Sequence, residues 1–524
     1  MKFEHYILSA VVALTIVGCG GGSSSSDSTS RGSTPQGWQF EVYQPETNFD
    51  GLCANPRASN EYNDSQGTIL DENNFLRSWS NNTYLWYDEI DDVDPELYND
   101  PIAYFDILKT FAITASGKPK DRFHFSYNTE QYEALSQGGV SSGYGIEWAL
   151  LSASPPRDLR VAYTEANSPA AAAAIQRGAK IIAIDGVDVA NGNDVDTLNA
   201  GMSPSKVGQT VEFEVLDLGA TETRKVKLTS QNIISSSVLT TKIVNTSSGD
   251  VGYIVFNSFN YPAEKELFDA ITMLKSNGIS DLILDLRYNG GGLLYQAAQL
   301  GYMIAGDQSR NRVFELTSFN NKHPNINPVT GQALSPVPFI DEGLGFSVDT
   351  GTKLPTLDLS RVYILTSNAT ASASESLING LNGIDIEVIQ IGQTTTGKPY
   401  GFYPKDNCGT TYFTVQIKGV NAKGFGDFSD GFAPENANLA GTVPQQGCYV
   451  REDFMHSLGD PSEVLLNTAL NFRDYNQCPP IPVNLTFEAF YADTFDKDLA
   501  IGQNDIKQVI KNSKIISTKV IPTR

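Results

Sequence analysis

Histidine is scarce in this sequence of 524 residues, which contains only His5, His124, His323 and His456. A serine nucleophile usually takes its base from histidine, and none of the four lies beside a motif that could supply a nucleophile. A Ser–His–Asp triad could still assemble from distant segments, because triads are spatial rather than sequential. The scarcity nevertheless favours a different base, and lysine can serve if it is neutral.

Basic residues are also few: 37 Lys and Arg stand against 60 Asp and Glu, which gives a formal net charge of −23. Binding to phosphates needs a basic face, and the sequence has no cluster of Lys and Arg. The composition therefore argues against a nucleic-acid partner, and the simplest interpretation of the acidity is solubility.

The sequence has no Cys-x-x-Cys or zinc-type spacing and no GxGxxG fingerprint, so neither a metal nor a cofactor is expected. Four of the five cysteines, Cys53, Cys408, Cys448 and Cys478, could form two disulfides in an exported protein, with three possible pairings. Similar local sequence favours Cys408–Cys448 and Cys53–Cys478.

The N-terminus has the pattern of a targeting signal. Lys2 precedes a short apolar run that ends in Ile-Val-Gly-Cys at Cys19, and this run has the size of a signal-peptide core. The ending resembles a bacterial lipobox. That resemblance implies removal of residues 1–18, lipidation of Cys19 and a location in the cell envelope. Gly20, in place of Asp, implies the outer membrane, facing the periplasm or the cell surface. Residues 19–45 then form a flexible linker.

Residues 46–137 are predicted to form a small helical domain. Asp71 to Asn73 could open a helix with a buried face. A second apolar helix face is expected from four residues: Tyr104, Phe105, Leu108 and Phe111.

Residues 138–232 change to short strands and Gly-rich turns. The stretch SPAAAAAIQRGAKIIAIDGVDV, which begins at Ser168, resembles the core of a PDZ domain. That resemblance implies a loop that binds a chain's terminal carboxylate, with a peptide added as an edge strand. The loop consists of Gly143, Tyr144, Gly145 and Ile146.

Residues 233–475 have α/β patterning and contain two candidate site segments. Arg-Tyr-Asn-Gly-Gly-Gly, residues 287–292, lies between a predicted strand and a predicted helix, where free backbone N–H groups can bind an oxyanion. Residues 362–400 have the pattern of strand, small-residue turn, helix, strand and lysine loop. They place Ser372 and Lys398 on two sides of one cleft, and burial must lower the pKa of such a lysine before it can act as a base.

Several motifs together resemble the C-terminal processing (tail-specific) serine peptidases over residues 138–472: TASASESLINGL, IGQTTTGKP, LILDLRYNGGGLL, GYIVFNSFN and LGDPSEVLLNTAL. The resemblance implies that Ser372 is the nucleophile, rather than Ser374, and that Lys398 is the general base. It implies an oxyanion hole formed by the Ala373 N–H and a glycine N–H from residues 290–292, with Gly291 preferred.

The sequence departs from this family at two positions. Many members carry Gln where this chain has Phe402, and Asp where it has Gly383, with Asp385 nearby. A threonine hydroxyl from residues 394–396 could orient the lysine instead.

The sequence thus predicts a multidomain α+β protein with a small helical N-terminal region, a PDZ-like β-rich domain, an α/β serine-peptidase core and a tail, residues 476–524. The expected function is that of a lipid-anchored endopeptidase. Its partners would be polypeptides with accessible C-termini and, through the lipid, a membrane. The alternatives are a non-catalytic PDZ scaffold that binds peptides, supported by Phe402 and Gly383, and a serine esterase or amidase.

Overall fold

The computed structural model describes residues 37–480 and a two-residue strand, Lys514–Ile515. The predicted signal peptide, the lipidation site Cys19 and most of the tail lie outside the described residues. Helices and strands are mixed throughout, as predicted for the fold class. Among the helices in the described part of the chain, none is both long and apolar enough to cross a bilayer.

The N-terminal region starts with helix α1, Ile69–Thr83, which is capped by Thr68 and Asp71 in a reciprocal capping box. Helix α2, Pro101–Phe105, is much shorter than predicted. Leu108 is buried together with Tyr104 and Phe105, but the helix expected beyond Phe105 is wrong. Thr110 instead forms hydrogen bonds with Tyr84 and Glu89, and the Phe111 side chain is 65% exposed. The region's other elements are β1 (Leu52–Cys53), β2 (Ser65–Gln66), β3 (Phe125–Asn128) and α3 (Thr129–Gly138).

A β-rich module follows. The module's elements are β4 (Val140–Gly143), β5 (Ile146–Ser152), β6 (Asp158–Thr164), α4 (Pro169–Ala172), β7 (Lys180–Ile184), β8 (Val187–Asp188), α5 (Val195–Met202), β9 (Thr210–Leu216), β10 (Arg224–Thr229) and β11 (Gln231–Ile234). Its main sheet has the strand order β10-β9-β7-β6-β5, with every pair antiparallel, and the short β8 pairs with β7. The strand β5 therefore lies at a sheet edge.

The core unit is built on a sheet with the order β12-β13-β14-β18-β19-β26, in which only β12 is antiparallel to its neighbour. The elements up to the second predicted site segment are β12 (Val238–Val244), β13 (Val251–Phe256), α6 (Ala263–Ser276), β14 (Asp281–Asp285), β15 (Gly292–Leu293), α7 (Leu294–Ala305), β16 (Val313–Ser318), β17 (Val337–Pro338) and β18 (Arg361–Thr366). The remaining elements are α8 (Ala373–Gly383), β19 (Glu387–Gly392), β20 (Tyr400–Gly401), β21 (Lys405–Asn407), β22 (Thr410–Phe413), β23 (Ile417–Val420), β24 (Phe432–Pro434), β25 (Val443–Gln445), β26 (Gly447–Tyr449), α9 (Val464–Tyr475) and β27 (Lys514–Ile515).

The central strands are buried on both faces, as parallel strands flanked by helices usually are. One face packs with α6, α7 and α8, and the other packs with α9 and part of the β-rich module. Because β14, β18 and β19 run in parallel, the loops after their carboxyl ends meet at one edge of the sheet. This edge brings together three segments. They are the glycine loop, residues 287–292, the serine turn between β18 and α8, residues 367–372, and the lysine loop between β19 and β20, residues 393–399.

The N-terminal region is joined to this core by strand pairing. The strand β3 pairs with β22, which belongs to the hairpin that follows the lysine loop. The backbone N–H of Leu85 also donates to the carbonyl of Val415 at 2.7 Å. The region before the β-rich module thus packs beside the lysine loop.

The four described cysteines form two disulfides, Cys53–Cys408 and Cys448–Cys478. The expected pairing is therefore wrong. The hairpin turn at Cys408 lies beside β1 of the N-terminal region, and the chain after α9 returns to β26. Similarity of local sequence could not reveal these approaches, which depend on tertiary structure.

Candidate active site

Ser372 lies at a strained turn directly before α8. Its φ is 63° and its ψ −111°, a conformation that side-chain-bearing residues rarely adopt. The residue is fully buried, and its Oγ makes no hydrogen bond to any part of the chain that the structure describes. A strained strand-to-helix turn that carries a serine is the geometry of a nucleophile elbow.

Glu375, in the first turn of α8, joins this turn to the lysine loop. Its Oε2 accepts the backbone N–H groups of Ser372 and Lys398, both at 2.8 Å. Its Oε1 accepts the Thr395 hydroxyl at 2.5 Å and the Gly397 N–H at 2.7 Å. Burial raises the pKa of Glu375, although these four hydrogen bonds oppose that shift. Both predicted site residues are thus attached to one buried carboxyl group.

Lys398 is 1% exposed, and its side chain lies among aromatic rings. The Nζ atom is 4.1 Å from the centroid of the Phe402 ring and 4.8 Å from that of Phe123. Phe402, which occupies the family's Gln position, is therefore in direct contact with the lysine. The ring of Phe123 comes from the N-terminal region.

The threonines before Lys398 anchor the loop. The hydroxyl of Thr395 donates to Glu375, and that of Thr396 donates to the carbonyl of Asn368 at 2.7 Å. The Thr395 oxygen also accepts the N–H of Phe432 at 2.8 Å. Both hydroxyl protons are therefore used to hold backbone and carboxylate in place.

The glycine loop lies against the serine turn. A Cβ placed on Gly291 would be 2.8 Å from the Ser372 Cβ and 3.0 Å from the Ala373 N. The Gly291 N–H, however, donates to Asn289 Oδ1 at 2.9 Å. In this structure the N–H group that the sequence predicts as an oxyanion donor is therefore engaged within the protein.

Asn289 also fixes the serine turn. Its carbonyl accepts the Ala371 N–H at 3.2 Å and the Ser374 hydroxyl at 2.9 Å. Ser374, the serine excluded as nucleophile, thus has a partner in the glycine loop.

Arg287, the first residue of the glycine loop, forms a buried network of ion pairs. Its guanidinium contacts Asp285 and Glu463, both at 2.8 Å, and Glu452 at 3.2 Å. Burial alone would raise the pKa of Glu463, but the Arg287 guanidinium holds it below its ordinary value. Because these charges would be costly to bury without partners, the network fixes the start of the loop.

The second departure from the family pattern lies outside the site. Gly383 ends α8 against Asn421, and a Cβ placed on this glycine would be only 2.9 Å from the Asn421 Cβ. Asp385 is an exposed residue that forms an ion pair with Lys423 at 2.6 Å. Neither residue replaces the family's Asp at the lysine.

The three described histidines bind elsewhere. His124 contacts the Phe105 carbonyl and the Thr414 hydroxyl, His323 contacts Asn82, and His456 contacts Asp453. Burial lowers the pKa of His124 to about 4. Among the described residues, no histidine is hydrogen-bonded to Ser372.

The predicted carboxylate-binding loop lies at the start of the edge strand β5. The carbonyl of Tyr144 accepts the Ala170 N–H at 3.1 Å, and that of Gly145 accepts the Glu165 N–H at 2.8 Å. The carbonyl of one residue and the N–H of the next point in opposite directions across a trans peptide. The N–H groups of Gly145 and Ile146 therefore point away from these partners. Gly143 ends the preceding strand β4.

Sequence reasoning missed three residues of this site. Glu375 could have been found, since an acid three residues after a helix-capping serine is a recognised N-terminal signal. Arg122 donates to the backbone carbonyls of Thr396 and Gly397 in the lysine loop. Arg122 and Phe123 carry no such signal, because only the tertiary structure brings the N-terminal region to this loop.

A parallel sheet whose carboxyl edge carries a buried serine at a helix start places this unit among the α/β domains with a nucleophile elbow. Residues 250–419 match the model of Peptidase family S41. This stretch of the chain is therefore similar to the peptidases of family S41.

Individual relatives agree with this assignment. A carboxyl-terminal-processing protease of Picosynechococcus sp. is 30% identical over 280 residues, which cover 51% of this chain and 58% of the relative. Another from Synechocystis sp. is 35% identical over 169 residues, covering 32% and 38%. The chain thus spans just over half of the first relative and about two fifths of the second.

A similar fold is found in a crystal structure from Bacteroides fragilis of a protein assigned to the S41 proteases. The TM-score is 0.59 at 23% identity, and the match covers 77% of this chain and 97% of the other. At this identity the likeness concerns the fold alone.

Proposed function

We propose that this protein is a serine endopeptidase in which Ser372 is the nucleophile and Lys398 is the general base. The observation that carries the proposal is the pair of 2.8 Å hydrogen bonds from the two backbone N–H groups to Glu375 Oε2. They fix the relative position of the two residues. The serine hydroxyl and the lysine side chain are both buried, and a lysine must be neutral before it can accept the serine proton.

The proposed reaction uses both residues. The Lys398 amine removes the Ser372 hydroxyl proton as Oγ attacks the peptide carbonyl carbon. The tetrahedral intermediate collapses, the C–N bond breaks, and the lysine returns the proton to the leaving amine. Water then hydrolyses the acyl-serine ester by the same proton transfers and releases the free carboxylic acid.

The oxyanion would be bound by the N–H groups of Ala373 and Gly291. Ala373 supplies the first N–H of α8, where the helix dipole favours negative charge. For Gly291, the bond to Asn289 must be exchanged for one to the substrate. Removal of one oxyanion donor costs about 3–4 kcal/mol in known cases, so this exchange would control activity.

The β-rich module, residues 138–232, would act as a PDZ domain that recognises C-terminal segments. The edge position of β5 leaves room for an added peptide strand. The N–H groups of Gly145 and Ile146 point away from Ala170 and Glu165 and would bind a terminal carboxylate. A peptide with a free C-terminus should therefore bind more tightly than its C-terminal amide, which isothermal titration with the two peptides would measure. Equal affinities would remove this part of the proposal.

The protein would be anchored by a lipid on Cys19, in the outer membrane of the cell envelope. The Gly/Ser-rich linker would allow the globular part to reach polypeptides near the membrane surface. Expression in a bacterium that processes lipoproteins, followed by mass spectrometry, should show a diacylglyceryl group on Cys19. An unmodified mature chain would contradict the anchor without affecting the peptidase proposal.

The peptidase activity is tested with fluorophore-labelled casein as an unfolded substrate. Ser372→Ala and Lys398→Ala should each abolish cleavage. Ser376→Ala is a matched control, because Ser376 is a buried serine on the same helix whose Oγ also has no partner among the described residues. Lys405→Ala is the control for the lysine. Binding of C-terminal peptides without any cleavage by the wild type would favour a peptide-binding scaffold instead.

A further inference from the structure

The segment Asp121–Phe123 lies far from the family-matched stretch in sequence but beside Lys398 in the structure. It precedes the β-rich module, whereas the family match begins at residue 250. We infer that Arg122 and Phe123 are positioning residues for the catalytic lysine, so that the N-terminal region completes the active site. This inference rests on the proposed role of Lys398 as the base.

Arg122 holds the backbone of the lysine loop from the side opposite to Glu375. One guanidinium nitrogen, Nη2, donates to the carbonyls of Thr396, Gly397 and Ser429, at 2.9, 3.3 and 3.2 Å. The loop's N–H groups at Gly397 and Lys398 meanwhile donate to Glu375. An anion thus binds the loop's donors while a cation binds its acceptors, and such charge-assisted bonds are stronger than neutral ones.

Phe123 forms one wall of a slot around the lysine amine, and Phe402 forms the other. The Nζ atom lies 4.8 Å from the first ring and 4.1 Å from the second. The Arg122 guanidinium carbon is also over the Phe123 ring, at 4.8 Å. The ring is therefore placed by the same arginine that holds the loop.

The slot is suited to a base that must change its charge. An aromatic face attracts the ammonium that forms when the lysine takes the serine proton. The same face does not donate a proton to the nitrogen, so the ring contacts do not compete for the lone pair of the neutral amine. A Gln amide, usual in the family at the position of Phe402, would hold the lysine by hydrogen bonding instead.

The segment itself is firmly placed. The Asp121 carboxylate accepts the Tyr84 hydroxyl at 2.6 Å and the Phe123 N–H at 2.9 Å. The following strand β3 pairs with β22 of the core. Phe125, in β3, stacks on Phe413 at 4.2 Å and lies 6.0 Å from the Phe402 ring. Both walls of the slot are therefore supported by residues from the N-terminal region.

The test compares kcat and KM for casein cleavage by the full chain carrying Phe123→Leu, Phe123→Tyr or Arg122→Met. Leucine keeps the apolar volume but lacks the ring, and we expect kcat to fall about 10-fold at nearly unchanged KM, since the rings act on the charge formed during reaction. Tyrosine restores the ring and should restore most of kcat. Arg122→Met removes three hydrogen bonds and should reduce kcat roughly 10–100-fold, as misplacement of a catalytic group by about 1 Å does.

Two matched controls in the same region lie away from the site. Phe75→Leu removes a buried ring whose centroid lies 5.4 Å from the Nζ of another lysine, Lys405. Arg77→Met removes a buried arginine that donates to the carbonyls of Val42 and Gln39. Both should lower the melting temperature but leave kcat within about 2-fold, because neither contacts the lysine loop.

Two outcomes would overturn the inference. In the first, Phe123→Leu, Arg122→Met and the two control variants all lose kcat in proportion to their loss of melting temperature. The N-terminal region would then have only a structural role. In the second, the Phe123 and Arg122 variants keep wild-type kcat while Lys398→Ala is inactive. This result leaves the proposed dyad intact, whereas activity in Lys398→Ala would overturn the dyad itself.

Discussion

Ser372 and Lys398 are attached through their backbone N–H groups to one oxygen atom, Oε2 of Glu375, each at 2.8 Å. Because the bonds involve the backbone, they fix the backbone positions of both residues but not the rotamers of their side chains. The relative placement of nucleophile and base therefore depends on a third residue that need not touch the substrate.

Glu375→Gln is expected to reduce casein cleavage by about 100-fold or more, since a small misplacement of reacting groups has an effect of this size. The amide offers only one acceptor oxygen and directs an NH₂ group at N–H donors. Each charge-assisted bond lost should also cost about 1.5–3 kcal/mol of the free energy of unfolding.

Glu264→Gln is the control for this change. Glu264 is another buried carboxylate, and it accepts four backbone N–H groups, those of Leu344, Phe346, Ser347 and Val348. It should lose stability to a similar degree, measured by urea unfolding, but retain its kcat. Equal loss of kcat in both variants would refute a specific role for Glu375.

The strained backbone of Ser372 predicts an unusual stability order. Ser372→Ala and Ser372→Gly should both be inactive. The glycine variant should be more stable than the alanine variant by about 1 kcal/mol, because glycine adopts φ of 63° without the steric cost borne by other residues. Urea unfolding of the two proteins measures the difference. A more stable alanine variant would show that the turn relaxes without cost.

Gly291→Ala is expected to be inactive and destabilised by about 2–4 kcal/mol, through overpacking at a positive φ. The new Cβ would be 2.8 Å from the Ser372 Cβ, and the backbone φ is 112°. Gly331→Ala shares a positive φ of 70°, but a Cβ added there would have no atom within 4 Å. It should lose no more than about 1 kcal/mol and keep full activity. Activity in Gly291→Ala would show that the glycine loop moves away from the serine.

Much of the core could be predicted because its signals are local. The apolar runs that form β18 and β19 are continuous, as buried parallel strands are. Ser372 directly precedes α8, and Lys398 follows β19 after a short turn. In a parallel sheet both positions must lie at the same edge, so the sequence was sufficient to bring them together.

The rest of the site depends on contacts between distant segments. In the sequence, Phe402 is recognised only as a residue that replaces the Gln found in many members of the family. Its contact with Lys398 is seen only in the three-dimensional structure. Phe123 reaches the same lysine because β3 pairs with β22, a pairing that no local pattern encodes. The disulfide pairing could not be predicted for the same reason.

The two disulfides should differ in their effect on stability. Cys53–Cys408 spans 355 residues and Cys448–Cys478 spans 30. Loop-closure entropy therefore predicts that replacing the first pair by alanine costs about 2 kcal/mol more than replacing the second. Urea unfolding of the two double variants measures this difference. A larger loss for the Cys448–Cys478 pair would mean that local packing outweighs the chain entropy.

His124 should make stability depend on pH in a defined window. Burial lowers its pKa to about 4 from an ordinary 6.5. Between these values the unfolded chain binds a proton that the folded chain does not. The contribution of His124 is therefore complete above pH 6.5 and is lost as the pH falls toward 4, by at most about 3 kcal/mol.

The measurement is urea unfolding of the wild type and of His124→Gln at several pH values from about 7 to about 4. Carboxylates titrate in both proteins, so the difference between them isolates the histidine, and it should shrink by up to about 3 kcal/mol as the pH falls. His456→Gln is a control of opposite sign, because the hydrogen bond to Asp453 raises the pKa of His456, and protonation then favours the folded state at lower pH. A difference between the wild type and His124→Gln that stays constant with pH would show that folding does not shift the pKa of His124.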